Sequence, residues 1–280
     1  MIPVLLEIGP LTIHSYGLMI AIGFLTSLFF IQRDAKKAGI DPVIFSNMAY
    51  IALPLGIAGT RIAHIIMFPE HYSWSDPIGW FAVNRGGLVF QGGPPVGMIF
   101  IYYYLKKHRI SFWKAADIIM PYLALGHAFG RIGCLLAGCC FGKVTDVSWA
   151  ITFPKQLNDK DQIIGSDAFQ AHLVDFSDIT IASTHSHPIH PTQLYAFFGL
   201  MLLCGTLLLL RKHWHPFVGF TFPMYFIIYG IHRTIVEHFR GDGNPVHMFN
   251  LTDQQIFALL FSVLGVVLFF ILRKLNSTEA

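Results

Sequence analysis

Charge is what this sequence has least of. Only 12% of its 280 residues are Asp, Glu, Lys or Arg, against roughly a quarter in soluble domains. Hydrophobic residues make up 54%, and mean hydropathy is +0.56. A soluble fold could not hide so much apolar surface, so the composition predicts an all-α, polytopic membrane protein, a single integral unit over residues 1–280. Cysteine is scarce as well. Cys134, Cys139, Cys140 and Cys204 form no paired framework of the secreted kind. No positively charged leader precedes the first apolar run, and Glu7 lies within it, so no cleaved signal peptide is expected. There is no basic patch interleaved with aromatics, which leaves nothing for a nucleic acid to bind. No internal repeat is visible, which argues against an inverted-repeat transporter.

What is present is a series of apolar runs. Seven segments approach bilayer-spanning length, about 17–25 residues each: 12–32, 45–68, 88–105, 117–141, 192–210, 217–239 and 254–272. Polar or small residues break the fourth and sixth; the seventh is clean. Lys and Arg near the ends of the spans set orientation. Eleven lie in one set of alternate loops (Arg33, Lys36, Lys37; Lys106, Lys107, Arg109, Lys114; Arg211, Lys212; Arg273, Lys274) and five in the other (Arg85, Lys143, Lys155, Lys160, Arg240). That asymmetry predicts an external N-terminus and a cytoplasmic C-terminus. The longest connection, 143–190, is then external. It carries six aspartates (Asp146, Asp159, Asp161, Asp167, Asp175, Asp178), and a connection of that length is expected to be functional or a small folded cap.

Three arginines fall inside spans: Arg61, Arg131 and Arg233. An arginine at the centre of an apolar helix costs roughly 2.5–3.5 kcal/mol on insertion scales, so it marks a pathway or an anionic ligand by default. Arg131 stands in GHAFGRIGCLLAGCCFG, flanked by Gly126, Gly130, Gly133, Gly138 and Gly142. Small residues at such spacings let helix backbones approach closely in lipid. Glycine with arginine predicts a crowded helix end that presents positive charge to a lipid phosphate. Arg233, in YGIHRTIVEHFRGD, has Glu237 four residues on, on the same helix face. An intrahelical ion pair and a phosphate-binding guanidinium held by Glu237 are compatible readings. For Arg61, in LGIAGTRIAHII, structural pairing and function both stay open.

Fourteen histidines invite a metal reading. His71, His108, His172 and His213 lie in loops and are expected to be solvated. His14, His64, His127, His232 and His238, in or near spans, are expected in hydrogen-bonded core roles. The THSHPIH run has no matching ligand cluster elsewhere, and His190 before Pro191 reads as the start of the fifth helix. Cys134, Cys139 and Cys140, spaced five then one, match no common zinc pattern and read as small hydrophobes. No metal is expected. FQGGPP, Phe90 to Pro95, predicts an irregular helix start lining a cavity, with Gln91 pointing into it.

Together these stretches resemble the bacterial prolipoprotein diacylglyceryl transferase family. HSYGLMI (His14 to Ile20) resembles its early tyrosine-glycine motif, and RGGLVFQGG (Arg85 to Gly93) its Gly-Gly…Phe-His-Gly-Gly stretch. GRIGCLLAGCCFG is similar to its signature, HPTQLYA (His190 to Ala196) to its His-Pro-Ser/Thr-Gln-Leu-Tyr-Glu, and YGIHRTIVEHFR (Tyr229 to Arg240) to its late arginine-glutamate helix. LTDQQI (Leu251 to Ile256) is similar to the start of its last helix. The matches run in order along nearly the whole chain. Gln91 stands where the family has histidine, Cys134 and Ala137 where it has asparagines, Cys139 where it has glutamate, and Ala196 where it has glutamate.

The resemblance implies a reaction. The diacylglyceryl group of phosphatidylglycerol passes to the lipobox cysteine thiol in a prolipoprotein signal peptide, and glycerol phosphate leaves. It implies an inner-membrane enzyme whose partners are these two substrates and membrane lipids, with no cofactor. Arg131 and Arg233 are then the catalytic cations and Glu237 orients Arg233. Tyr16 and Tyr229 position the head group, and Gly142 allows close backbone approach. Arg61, Gln91, Gly92, Gly93, Cys134, His190, Gln193 and Arg240 complete the expected substrate-binding set. The alternatives are a paralogue acting on another acceptor, which Gln91 and Cys139 would permit, and an anion channel or transporter lined by the three arginines.

Overall fold

The computed structural model describes residues 4–8, 11–73, 76–80, 86–87, 89–155, 166–242 and 251–278. Asp159, Lys160 and Asp161 of the long connection, and Arg85 of the glycine-rich motif, lie outside the described residues. An antiparallel hairpin, β1 (Val4–Ile8) with β2 (Leu11–His14), comes first. Then come α1 (Ser15–Lys37), α2 (Pro42–Met67), α3 (Gly93–Lys107), α4 (Phe112–Ala137), α5 (Asp167–Asp175), α6 (Thr192–His213), α7 (Thr221–His238) and α8 (Asp253–Thr278). The fold is that of an all-helical polytopic membrane protein.

The long helices answer one by one to the seven apolar segments. Five are long and apolar enough to cross a membrane: α1, α2, α4, α6 and α8. α3 has only 15 residues, about 22 Å at 1.5 Å per residue, and α7 is diluted by His232, Arg233, Thr234 and Glu237. Several boundaries shift by three to six residues from expectation, among them the starts of α3 (Gly93) and α7 (Thr221), and two shifts have a clear local cause. α1 begins at Ser15 because Leu11–His14 pairs as a strand. α4 stops at Ala137, four residues early, because Gly138 adopts φ 79°, a left-handed conformation that ends a helix.

The chain divides into two compact units, residues 1–27 with 116–280, and residues 28–115. In the first, α4 lays its glycines against α1. A Cβ on Gly126 would press on Ser27 Oγ at 2.9 Å, one on Gly133 on the Tyr16 ring at 3.0 Å, and one on Gly23 on Phe129 at 2.7 Å. Helices without side chains at the seam approach until backbone meets side chain. α7 and α8 pack the same way, Gly265 against Pro223 and Ile227. A capping box starts α8: the Gln255 amide donates to Thr252 Oγ1 at 3.2 Å, and the Thr252 amide to Gln255 Oε1 at 3.0 Å. Asp117 ties α4 to the turn before α7. Its carboxylate accepts from the amides of Gly219 (2.6 Å) and Thr221 (2.8 Å) and from Thr221 Oγ1 (2.9 Å), occupying donors that a helix start otherwise leaves unmatched.

Within 143–190 the described residues gather a small core. Phe153, Ala168 and Ile189 pack with Phe141 and, less buried, Leu135, Ile151 and Ala171. Ser166 caps α5 by accepting from the Phe169 amide. His172 is 3% exposed, not solvated as its loop position suggests: its Nδ1 accepts from the His187 amide at 3.1 Å and its ring meets Phe141 and Phe176 edge-on. Burial holds its imidazole below the ordinary pKa, with His187 adding to the effect. His71, His108 and His213 are exposed as expected. So are His14 and His238, for which a core place was expected.

In the second unit α2 and α3 cross on small residues. A Cβ on Gly92 would collide with the Gly59 carbonyl and Ala63, and one on Gly93 would lie 3.0 Å from Thr60. The FQGGPP start is irregular, as expected: a single 3₁₀ turn, Phe90–Gly92, leads into α3.

Candidate active site

Arg131 sits half-buried on α4, one and a half turns before the helix ends. Its guanidinium reaches His127 Nε2 at 3.3 Å, one turn back. The His127 ring lies 5.5 Å from that of Tyr229, which in turn stacks on Tyr225 at 5.6 Å. The Arg131 Nε is buried with no hydrogen-bond partner among the described residues. Among the described residues no carboxylate lies within 4 Å of this guanidinium. Arg131 is within electrostatic reach of Arg233, Cys134, Cys140 and Tyr16. A cation without a carboxylate partner among the described residues, within electrostatic reach of a second cation, makes this a candidate anion site.

Arg233 differs in being matched. Its Nη2 contacts Glu237 Oε2 at 2.8 Å, with side chains 13% and 1% exposed. Glu237 also lies 3.7 Å from Arg240 Nε and accepts from Thr252 Oγ1 at 3.4 Å. Arg240 is paired in turn to Asp242. One buried carboxylate thus sits between two arginines and fixes both.

Beyond Ala137 the chain turns sharply. The amides of Gly138 and Cys139 both donate to the Cys134 carbonyl, at 2.8 and 3.2 Å. Two buried side chains from the start of α6 clamp the turn: Gln193 Nε2 donates to the Cys139 carbonyl and Thr192 Oγ1 to the Cys140 carbonyl, each at 2.8 Å. Gly142 follows, bridged to Arg240. A Cβ there would collide with the His190 carbonyl, so the close approach at Gly142 is of backbone to backbone. His190 Nδ1 is 3.2 Å from Tyr195 OH, to which Trp149 Nε1 donates at 2.7 Å.

The expected residues Arg131, Arg233, Glu237, Tyr16, Cys134, Gly142, His190, Gln193, Tyr229 and Arg240 therefore all belong to the first unit, and the geometry above links them. Arg61, Gln91, Gly92 and Gly93 belong to the second. There Arg61 is 7% exposed and its guanidinium donates to four carbonyls: Trp80 (3.0 Å), Gly86 (2.6 Å), Gly87 (2.9 Å) and Gly79 (2.6 Å). It lies over the Tyr72 ring, 4.9 Å from its centroid, and lines a cavity of ≈ 530 Å³ with His64, His71 and Asp76. Its donors hold a loop. Gln91 is exposed on its turn.

The family described as prolipoprotein diacylglyceryl transferase matches residues 3–271. The chain belongs to that family. A relative from Clostridium tetani, named phosphatidylglycerol–prolipoprotein diacylglyceryl transferase, is 34% identical over 95% of this chain and 96% of its own length. Relatives of the same name from Oceanobacillus iheyensis and Stenotrophomonas maltophilia are 28% and 29% identical, over 99% and 97% of this chain and 89% and 92% of theirs.

His127 has the hydrogen-bonded core place expected of it, and its spacing of four from Arg131, on one face of α4, makes Arg131 its partner. One neighbour of the site is not legible in the sequence of this transferase family member. Thr192 lies inside HPTQLYA, yet nothing in the sequence says that its hydroxyl fixes the Cys140 carbonyl from 52 residues away.

Proposed function

We propose that this chain transfers the diacylglyceryl group of phosphatidylglycerol to the lipobox cysteine thiol of a prolipoprotein, forming a thioether and releasing glycerol phosphate. The observation that carries this reading is Arg131, a guanidinium at membrane depth with no acidic partner among the described residues, beside an arginine already balanced by Glu237.

The chemistry follows from charge. Phosphatidylglycerol brings one negative charge on its phosphodiester. The substrate sulfur attacks the diacylglyceryl carbon that bears the phosphate, a C–S bond forms, and the bond from that carbon to the phosphate oxygen breaks, so the oxygen leaves with glycerol phosphate. The departing phosphate monoester gains charge as the bond breaks, so a cation fixed beside it lowers the barrier. Arg131 offers a planar fork that matches phosphate oxygens, and Arg233, oriented by Glu237, supplies the second cation. The thiol loses its proton more readily among arginines, and the phosphate monoester, with a second pKa near 6, can receive it. Neither step requires a strong base at Gln91. Tyr16 and Tyr229 border Arg131 and suit the glycerol head group.

On this reading the chain lies in the bacterial inner membrane with its N-terminus outside and its C-terminus in the cytoplasm. Residues 143–190 cap its outer face. Complementation tests it: the chain is expressed in cells depleted of their own transferase, and a reporter lipoprotein is weighed by mass spectrometry. Gain of the diacylglyceryl mass is expected. Well-inserted protein without that adduct would defeat the proposal.

A further inference from the structure

Three of the four cysteines meet. The Sγ atoms of Cys134, Cys139 and Cys140 all lie within 4.8 Å of one another, and all three thiols are free. With Zn–S bonds of 2.3 Å, three sulfurs around one ion stand about 3.8–4.0 Å apart, in tetrahedral or trigonal geometry alike. The observed spacing needs at most about an ångström of closure. Hydrophobic packing alone explains a buried Cys134, but Cys139 and Cys140 are only half-buried.

The gathering also carries a conformational cost. Cys140 holds φ 58°, and Gly138 holds φ 79° two residues earlier. A non-glycine residue in the left-handed region costs on the order of 1–2 kcal/mol, and such strain persists only where its surroundings impose it. Here Gln193 and Thr192, 1% and 2% exposed, impose it through the two carbonyls. The result turns the thiols of a CC pair back onto Cys134, with Cys139 Sγ 3.8 Å from the Cys134 carbonyl.

We propose that Cys134, Cys139 and Cys140 form a three-thiolate site for a zinc-class cation. Zinc with three thiolates carries one net negative charge, and Arg240, within electrostatic reach of Cys140, faces it. Three protein ligands leave a fourth position for an exogenous ligand, the pattern of open rather than purely structural zinc sites. The proposal stands on the thiols alone and does not depend on the transferase reading.

The test uses the full chain, purified in detergent under a phosphine reductant, with zinc measured per chain and cobalt(II) as the optical probe. One ion per chain and a sulfur-to-cobalt charge-transfer band are expected. Cys134→Ser, Cys139→Ser and Cys140→Ser should each weaken cobalt binding at least about tenfold, the lower end of what disturbing a metal's ligand environment costs. Cys204→Ser, on α6 away from the cluster, should not. Should the serine variants fail to insert, the native chain still decides: zinc should slow alkylation of the half-buried thiols by a small maleimide. No retained zinc and no cobalt band, a band that survives all three substitutions, or alkylation indifferent to zinc would each overturn the site.

Discussion

Arg61 and Arg131 look alike in sequence and are opposites in structure. Each sits in an apolar helix among glycines, in LGIAGTRIAHII and LGHAFGRIGCLL. Arg61 spends its donors on four carbonyls of the loop that follows its helix. Among the described residues, Arg131 contacts His127 and keeps a buried Nε without a hydrogen-bond partner. Insertion cost is similar for both, so a charge within an apolar helix does not by itself mark function; what sets these two arginines apart is that Arg61 has its donors matched by carbonyls and Arg131 keeps one unmatched among the described residues.

Substitution can break that contrast. The largest effect is expected at Arg131→Ala: transfer should fall about 10²–10³-fold, the loss seen when a donor to developing negative charge is removed, while the protein accumulates normally. Arg131→Lys should recover only part, since an ammonium lacks the planar fork. A wild-type rate in Arg131→Ala, measured by lipoprotein mass shift, would remove this residue from the chemistry. The same change at Arg61 should act on folding. Four carbonyls lose a charged donor, and hydrogen bonds to charged groups contribute about 1.5–3 kcal/mol each, so thermal unfolding in detergent should show a loss of about 3 kcal/mol or more. If Arg61→Ala were instead fully stable and inactive, Arg61 would be a ligand and the contrast would vanish.

Glu237→Gln should fall between these. It leaves Arg233 and Arg240 facing each other without the shared carboxylate, and a buried group robbed of its partner costs about 1–3 kcal/mol. Both stability and transfer should decline, and Glu237→Asp should restore more of each. Unchanged behaviour in Glu237→Gln would mean Arg233 needs no orienting group.

The smallest effect concerns His172. Its folded pKa is lowered by burial, so below about pH 6.5 the unfolded chain binds the proton first. Stability then falls as pH falls, and is fully present above that value. Protonation also removes the lone pair that accepts from the His187 amide. Hydrogen-exchange protection in residues 166–176, with rates corrected for the intrinsic pH dependence of exchange, should therefore fall between pH 7.5 and 5.5. His172→Gln should flatten that dependence, and an unaltered profile would show that His172 is not the sensor.

The seven helices that answer to apolar segments, five of them long and apolar enough to span a bilayer, were legible because spanning demands long apolar runs, which do not depend on tertiary contacts. Arg131, Arg233 and Glu237 were legible for a related reason: charge within such a run is rare. Their grouping with Tyr16, Tyr229 and the cysteine turn was not. Asp117 passed unnoticed because a single acid near a helix start says nothing of Gly219 and Thr221, about a hundred residues on. His172 was misjudged because a loop in sequence can still carry a buried ring. The end of α4 was misplaced because LLAGCCFG is apolar throughout, and only the left-handed Gly138 shows where the helix stops.

By itself the sequence determined a membrane protein, its helices, and the family whose motifs it carries, since hydropathy and local spacing are written residue by residue. Tertiary structure alone decided which arginine is compensated and which three thiols meet. Those outcomes depend on carbonyls and side chains brought together across tens of residues, and no local pattern encodes a partner that distant.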